Sequence, residues 1–248
     1  MGSVYFYEFV GTAVLVLMGD GVVANTTLKG TKSYGAGWIV ITLGWGLGVF
    51  LGVIIAGPHS GAHINPAVTL GIAFAGLISW SIVPGYILAQ LAGGFFGAAL
   101  VYLFFRQHLE ITEDKPTKLA VFCTGPAIRN YRANIFSEMV GTFVLIFTIF
   151  HFVDPSFSAS TLTDARIGLG SIGALPVALL VVAIGMSLGG TTGYAINPAR
   201  DLGPRLVHYI FPMKNKGTSD WAYSWVPVAG PVIGAFIAAI AYLGAGLL

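Results

Sequence analysis

The chain has 248 residues, 56% of them hydrophobic and only 9% charged, with 34 glycines and a formal net charge of +2. Such a composition excludes an ordinary soluble domain, and with so few basic residues, spread over loops, it offers no nucleic acid a binding face. One cysteine, Cys123, excludes an internal disulfide and a thiolate metal cluster.

Six stretches are long and apolar enough to cross a bilayer, which takes about 20 residues as helix. They run Val4 to Thr26, Ala36 to Gly57, Ile82 to Phe105, Ala133 to Val153, Ile167 to Gly190 and Ala222 to Leu247. The first has neither a basic leader nor a small-residue cleavage site and reads as a retained span. Two further apolar pieces, Asn65 to Ile78 and Asn197 to Tyr209, reach only about 20 Å as helix. They are too short to span. Backbone that breaks at membrane depth must be buried in protein or line a wet cavity, so both pieces belong inside the bundle.

The sequence repeats itself. "SGAHINPAV" from Ser60 aligns with "TGYAINPAR" from Thr192 at an offset of 132 residues, and "EFVGT" from Glu8 with "EMVGT" from Glu138 at 130. "LAGGFFGAA" from Leu91 matches "VAGPVIGAF" from Val228. Three matches in one order indicate two homologous halves, approximately 1–125 and 126–248, within a single transmembrane domain. Each half holds three spans, so the second enters the membrane inverted. The fold class expected is an all-α membrane protein of six spans plus two re-entrant half-helices in an inverted repeat.

"INPA" carries capping chemistry. Asparagine is a strong N-cap and proline suits the first helical position, where no N–H donor is needed. Asn65 and Asn197 should therefore cap, and Pro66 and Pro198 start, the two short helices, with Ala67 and Ala199 in their first turns. With its oxygen occupied, each asparagine keeps an amide NH₂. The inverted repeat should bring these two donors together near the midplane, where both helix N-termini also point. Such a place favours acceptor oxygens and repels cations.

The paired "NPA" tripeptides, the duplicated Glu-x-Val-Gly-Thr and the six spans resemble the aquaporin family over essentially the whole chain. "NPARDLGPR" from Asn197 is similar to its glycerol-facilitator branch, in which an aspartate follows the filter arginine. The resemblance implies an aquaporin-like right-handed bundle, a homotetramer in which each protomer has its own pore, and a filter of four positions. These fall on Trp45, Gly185, Tyr194 and Arg200. Water-selective relatives usually carry His where Gly185 stands, and glycerol-conducting ones often Phe where Tyr194 stands. The implied solutes are glycerol and similar small neutral polyols, with some water; no cofactor or metal is called for.

Chemistry agrees with that filter. A polyol has a carbon edge and a hydroxyl edge; Trp45 and Tyr194 offer aromatic faces to the first, and the planar guanidinium of Arg200 offers paired donors to the second. Acceptors should come from the carbonyls of Gly61, Ala62 and His63 in one loop and Gly193, Tyr194 and Ala195 in the other. Glu8 and Glu138 read as buried carboxylates that hold these loops, by accepting backbone N–H groups, rather than as proton-relay acids. His63 reads as a structural loop residue. Asp201 either pairs with Arg205 or, as the resemblance suggests, shapes the loop behind Arg200. Trp80, Trp221 and Trp225 flank spans as interfacial anchors, and Gly93, Gly97, Gly230 and Gly234 mark close helix packing.

Orientation divides the signals. Family topology places both termini in the cytoplasm, of a plasma membrane, which puts eleven of the twelve Lys and Arg residues outside and only Arg166 on the other side. The positive-inside rule taken alone predicts the reverse. The family orientation is adopted here. Rival classes are a mainly water-conducting pore and an ion-coupled secondary transporter; a membrane enzyme is disfavoured because neither HExxH nor GxSxG occurs.

Overall fold

The computed structural model describes residues 2–153 and 168–246. Ten α-helices follow in order: α1 (Gly2–Thr27), α2 (Trp38–Ser60), α3 (Pro66–Phe74), α4 (Val83–Phe104), α5 (Arg106–Ile111), α6 (Lys115–Phe122), α7 (Tyr131–Ile149), α8 (Leu175–Leu188), α9 (Pro198–Ile210) and α10 (Val226–Gly244). A 3₁₀ turn, Gly170–Ala174, leads into α8 and extends it to spanning length. Among the described residues six helices are long and apolar enough to cross a membrane. The expected ends at Ile167 and Leu247, and Arg166, lie outside the described residues.

The bundle is built inside out relative to a soluble protein. Leu88 and Phe104 stand 68% and 80% exposed on its flank, as side chains facing lipid would. Its interior meanwhile holds Glu8, Gln90, Glu138, Asp201 and Arg205, each at most 1% exposed. Every one of those polar groups therefore needs a protein partner or a wet cavity.

Helices approach closely where glycine leaves out a side chain. A Cβ at Gly93 or Gly97 would stand 2.3 Å from the carbonyl oxygen of Phe9 or Ala13, so α4 lies backbone-to-backbone on α1. Gly230 and Gly234 do the same for α10 on α7, with Glu138 Cβ at 2.6 Å and the Met139 carbonyl at 2.4 Å. The half-helices cross over: α3 packs against α10 and α9 against α4. Gly94 and Gly203 make the second contact possible, a Cβ on Gly94 falling 2.5 Å from Ala199 O.

Local chemistry sets the short helices. Asn65 Oδ1 accepts from Ala67 N at 2.8 Å, and Asn197 Oδ1 accepts from Ala199 N and Arg200 N at 3.0 and 3.3 Å. Helix α3 stops at Phe74, four residues before the expected Ile78, because the chain turns through Gly76 at φ 75°. The segment between α4 and α7, which holds no apolar span, folds into α5 and α6, the latter capped by Asp114 on Thr117 N at 2.8 Å.

Candidate functional site

The two loops that precede α3 and α9 adopt the same unusual backbone. Gly61, Ala62 and Ile64 have φ of 81°, 50° and 42°, and Gly193, Tyr194 and Ile196 have 81°, 38° and 43°. Left-handed backbone at four non-glycine positions stores roughly 1–3 kcal/mol each and persists only when neighbours enforce it. The enforcing groups are carboxylates. Glu8 accepts from His63 N (2.9 Å), Ile64 N (2.7 Å), Ser60 Oγ (2.6 Å) and Gln90 Nε2 (2.7 Å). Glu138 accepts from Ala195 N and Ile196 N at 2.9 and 2.8 Å. His63 bonds through Nδ1 to Thr69 Oγ1 at 3.1 Å, inside the same loop and helix.

The asparagines lock the loops to each other. Asn65 Nδ2 donates to Ile196 O at 2.8 Å and Asn197 Nδ2 donates to Ile64 O at 2.9 Å. One N–H of each amide is thereby spent across the junction, and one remains. The sequence suggested two wholly free amides; the carbonyls left over by the left-handed turns claim half of that donor capacity.

Beside this junction runs a cavity of about 230 Å³. Arg200, Trp45 and Tyr194 line it, as do Asn65, Asn197 and His63. Gly61, Ala62 and Ala195 also border it. Gly185 and Gly193 do not. Gly193 faces Thr124, and Gly185 lies behind the ring of Tyr194, whose Cζ would meet a Cβ there at 2.8 Å. The missing side chain at Gly185 thus makes room for Tyr194 rather than opening the wall itself.

Tyr194 is fixed from two sides. Its ring meets Trp38 edge-on at 5.8 Å, and Trp38 Nε1 donates to Gly185 O at 2.9 Å. The Tyr194 hydroxyl is buried against Gly185 without a hydrogen-bond partner. It therefore presents no polar group to the cavity, and the residue acts there as an aromatic wall. Trp45, 3% exposed, stacks over Gly19, where a Cβ would stand 2.2 Å from its ring.

The two arginines of α9 behave oppositely. Arg205, wholly buried, makes five bonds with its five N–H groups: Nε to Asp201 Oδ1 (2.8 Å), Nη1 to the carbonyls of Ser219 (2.8 Å) and Asp220 (3.1 Å), and Nη2 to Thr124 O and Asp201 Oδ2 (both 3.0 Å). Asp201 Oδ2 also accepts from Thr124 N and Oγ1 at 2.8 and 2.6 Å. Asp201 thus pairs with Arg205 and ties α9 to the segment after α6. Arg200 has its guanidinium carbon 3.8 Å over the Trp45 ring, and among the described residues no hydrogen-bond acceptor engages its side chain. Its donors are left for whatever occupies the cavity.

Sequence reasoning passed over three participants. Trp38 and Gln90 betray themselves by no motif, since what they hold lies 147 and 82 residues away. Asp20 did carry a signal: an acid inside the first apolar run. Its Oδ1 lies 3.9 Å from Arg200 Nη1, with no exposure. No cluster of His, Cys, Asp or Glu at metal geometry occurs among the described residues.

The chain is similar to known proteins over nearly its whole length. The major intrinsic protein family matches residues 3–242. A probable glycerol uptake facilitator protein of Thermotoga maritima is 53% identical over 240 residues, 97% of this chain and 98% of that protein. The glycerol uptake facilitator protein of Streptococcus pneumoniae strain R6 is 52% identical, over 96% of this chain and 97% of its own. The X-ray structure of the aquaglyceroporin from Plasmodium falciparum superposes with a TM-score of 0.77 at 30% identity, covering 96% of this chain and 93% of that one. A family match over nearly the full length, with the same fold, settles the relationship: the chain is a member of the major intrinsic protein family.

Proposed function

We propose that the protein is a passive channel for glycerol and similar small neutral polyols, with some water, that excludes ions and protons and performs no covalent chemistry. The observation that carries this reading is the pairing in the cavity wall of an unengaged guanidinium, Arg200, with two aromatic residues, Trp45 and Tyr194. Hydroxyls of a polyol take the donors and its CH edge takes the aromatic wall. Trp45, Tyr194 and Arg200 form the filter, with Gly185 shaping it from behind. The carbonyls of Gly61, Ala62, His63 and Ala195 supply acceptors along the path. Farther in, Asn65 and Asn197 each offer one remaining N–H, and the N-termini of α3 and α9 oppose cations. The names of the relatives at 53% and 52% identity support glycerol as solute.

The same reading takes the halves 1–125 and 126–248 as inverted repeats, the assembly as a homotetramer with one pore per protomer, and the site of residence as the plasma membrane with cytoplasmic termini. Several of the basic residues that argue for the opposite orientation are engaged by neighbouring loops. Lys118 Nζ donates to Lys214 O, Lys216 Nζ to Tyr209 O and Phe211 O, and Arg129 pairs with Asp220. Burial holds the Lys118 and Lys216 ammonium groups below the ordinary lysine range, and Lys214 adds repulsion at Lys118. These charges fasten loops, which supports giving them little weight as a topology signal.

Reconstitution in liposomes, with glycerol, urea, water and proton fluxes measured in parallel, tests the reading. Glycerol equilibration should accelerate in both directions without a proton gradient. Strict proton coupling, or an osmotic response to glycerol unchanged from empty vesicles, refutes it; a large water flux without glycerol flux assigns a water pore instead.

A further inference from the structure

Asp20 stands out among the interior acids. Glu8 and Glu138 accept backbone N–H groups, and Asp201 is taken up by Arg205 and Thr124. Asp20 is fully buried in α1, and among the described residues neither carboxylate oxygen has a hydrogen-bond partner. Among the described residues its one ion-pair contact is Arg200 Nη1 at 3.9 Å. An unpaired buried acid is costly, so a fold that keeps one beside a single cation ties the two together.

The placement is specific. Gly19 lets the Trp45 ring approach α1, and the Arg200 guanidinium lies over the same ring system at 3.8 Å. Asp20, the next residue, reaches the same guanidinium without lining the cavity. Trp45 and Asp20 thus both bear on Arg200, the first at the solute path and the second behind it. A lone guanidinium facing a narrow cavity would be an anion trap, because planar anions such as carboxylate or nitrate take its paired N–H groups with charge assistance. A neutral hydroxyl pair competes poorly with them.

We propose that Asp20 is a positioning and specificity residue: its carboxylate is the counter-charge to Arg200, so that the filter keeps its donors for neutral polyols and does not retain small anions. This rests on the channel reading above and deepens it. Asp20 neutralises the field at the constriction while its distance of 3.9 Å leaves the N–H groups unspent. A closer, bidentate pair of the kind that Asp201 makes with Arg205 would withdraw those donors from the cavity.

Asp20→Asn keeps the shape and removes the charge. Proteoliposomes carrying wild type or D20N are challenged with glycerol in the presence of nitrate, a permanently charged planar anion, with sulfate at equal ionic strength as the control. Wild-type glycerol flux should be indifferent to nitrate. In D20N, nitrate should block glycerol flux at a concentration roughly tenfold lower than in wild type, or carry a measurable anion current in planar bilayers. The double variant D20N with Arg200→Gln should lose that nitrate effect. A merely structural Asp20 would lower flux equally in nitrate and sulfate, and that result overturns the proposal, as does D20N behaving like wild type in both salts. Folding is read by tetramer elution and thermal unfolding in detergent. If D20N does not fold, Asp20→Ser carries the same nitrate comparison; loss of the fold in both the Asn and the Ser variants makes Asp20 a structural residue and overturns the proposal. Failure of wild type to conduct glycerol refutes the channel reading instead, and it is seen before any variant is compared.

Discussion

Gly185→Ala isolates the steric basis of the filter. The new Cβ would stand 2.8 Å from Thr42 Cγ2, 2.8 Å from Tyr194 Cζ and 3.0 Å from Tyr194 Oη. Thr42 is buried, with its hydroxyl bonded to Ile39 O at 2.9 Å, so it has nowhere to go. Tyr194 has the cavity on its free side. Restoring ordinary contact therefore drives the tyrosine ring about 0.6 Å into the solute path, at a cost of about 1–3 kcal/mol. One methylene of mismatch in a fitted site is worth a factor of about 10 to 200 for the solute that touches the wall. Glycerol permeability should fall about tenfold, while water, which is narrower, loses less than about twofold. Stopped-flow light scattering on proteoliposomes reads both. Equal loss of glycerol and water flux, or an unchanged glycerol rate, would refute the geometry. A rescue sharpens the test: Tyr194→Leu in the Gly185→Ala background deletes the ring carbon that clashes and should restore most of the glycerol flux. If it does not, the ring is not the moving wall.

Tyr194→Phe removes a buried hydroxyl that has no partner. Relief of about 1–2 kcal/mol should raise the thermal midpoint by a few degrees and leave glycerol flux within about twofold of wild type, whereas a lower midpoint would mean that the hydroxyl is engaged. Arg205→Lys cannot reproduce five N–H bonds with three donors and strands Asp201 in the interior; a loss of about 3–5 kcal/mol is expected in detergent melts, and an unchanged midpoint would contradict it. Glu8→Gln turns an acceptor-only carboxylate into a group that presents an N–H toward other donors. Destabilisation of about 1.5–3 kcal/mol and parallel loss of glycerol and water flux should follow, in contrast to the selective loss at Gly185. Loss of glycerol flux alone would mean that Glu8 contacts solute and does not hold the loop.

What the sequence discloses here is what local chemistry dictates. An Asn-Pro cap is settled by two or three neighbouring residues, and both caps form as their composition requires. The long apolar runs likewise fix six helices, because a bilayer leaves the backbone no other way to bond. The tertiary junctions were not legible. The amide of Asn65 finds its acceptor 131 residues away, at Ile196, and nothing in either tripeptide announces that pairing. Gly185 was readable only as a filter position implied by the resemblance; its contact with Tyr194 exists only once α8 and the second loop are packed. Asp201 had two open readings, and the choice depended on Thr124, brought in by a segment whose folding into α5 and α6 no apolar run signalled. Asp20 was legible as an intramembrane acid, yet its partner became evident only in three dimensions.

The strained loops and the open arginine belong to one design problem. Carbonyls can border a solute path only if the backbone is prevented from forming helix, and the left-handed turns at Ala62, Ile64, Tyr194 and Ile196 do this. Such turns would relax unless held, and the holding groups must be strong in a dry interior. Charge-assisted bonds to Glu8 and Glu138 meet that need from behind the loops, and the crossed asparagine amides meet it at the junction. Arg200 must meanwhile remain unengaged, and α9 places a second arginine five residues on that takes up Asp201 and the carbonyls of Thr124 and Ser219. With Arg205 saturating Asp201, Thr124 and the turn at Ser219, Asp20 is the carboxylate that faces Arg200, at 3.9 Å and so beyond hydrogen-bond distance. The guanidinium is then held by aromatic stacking and a remote charge, neither of which consumes its N–H groups. That combination, rigid acceptors along the path and unspent donors at the filter, is what a neutral polyol requires in exchange for its hydration shell.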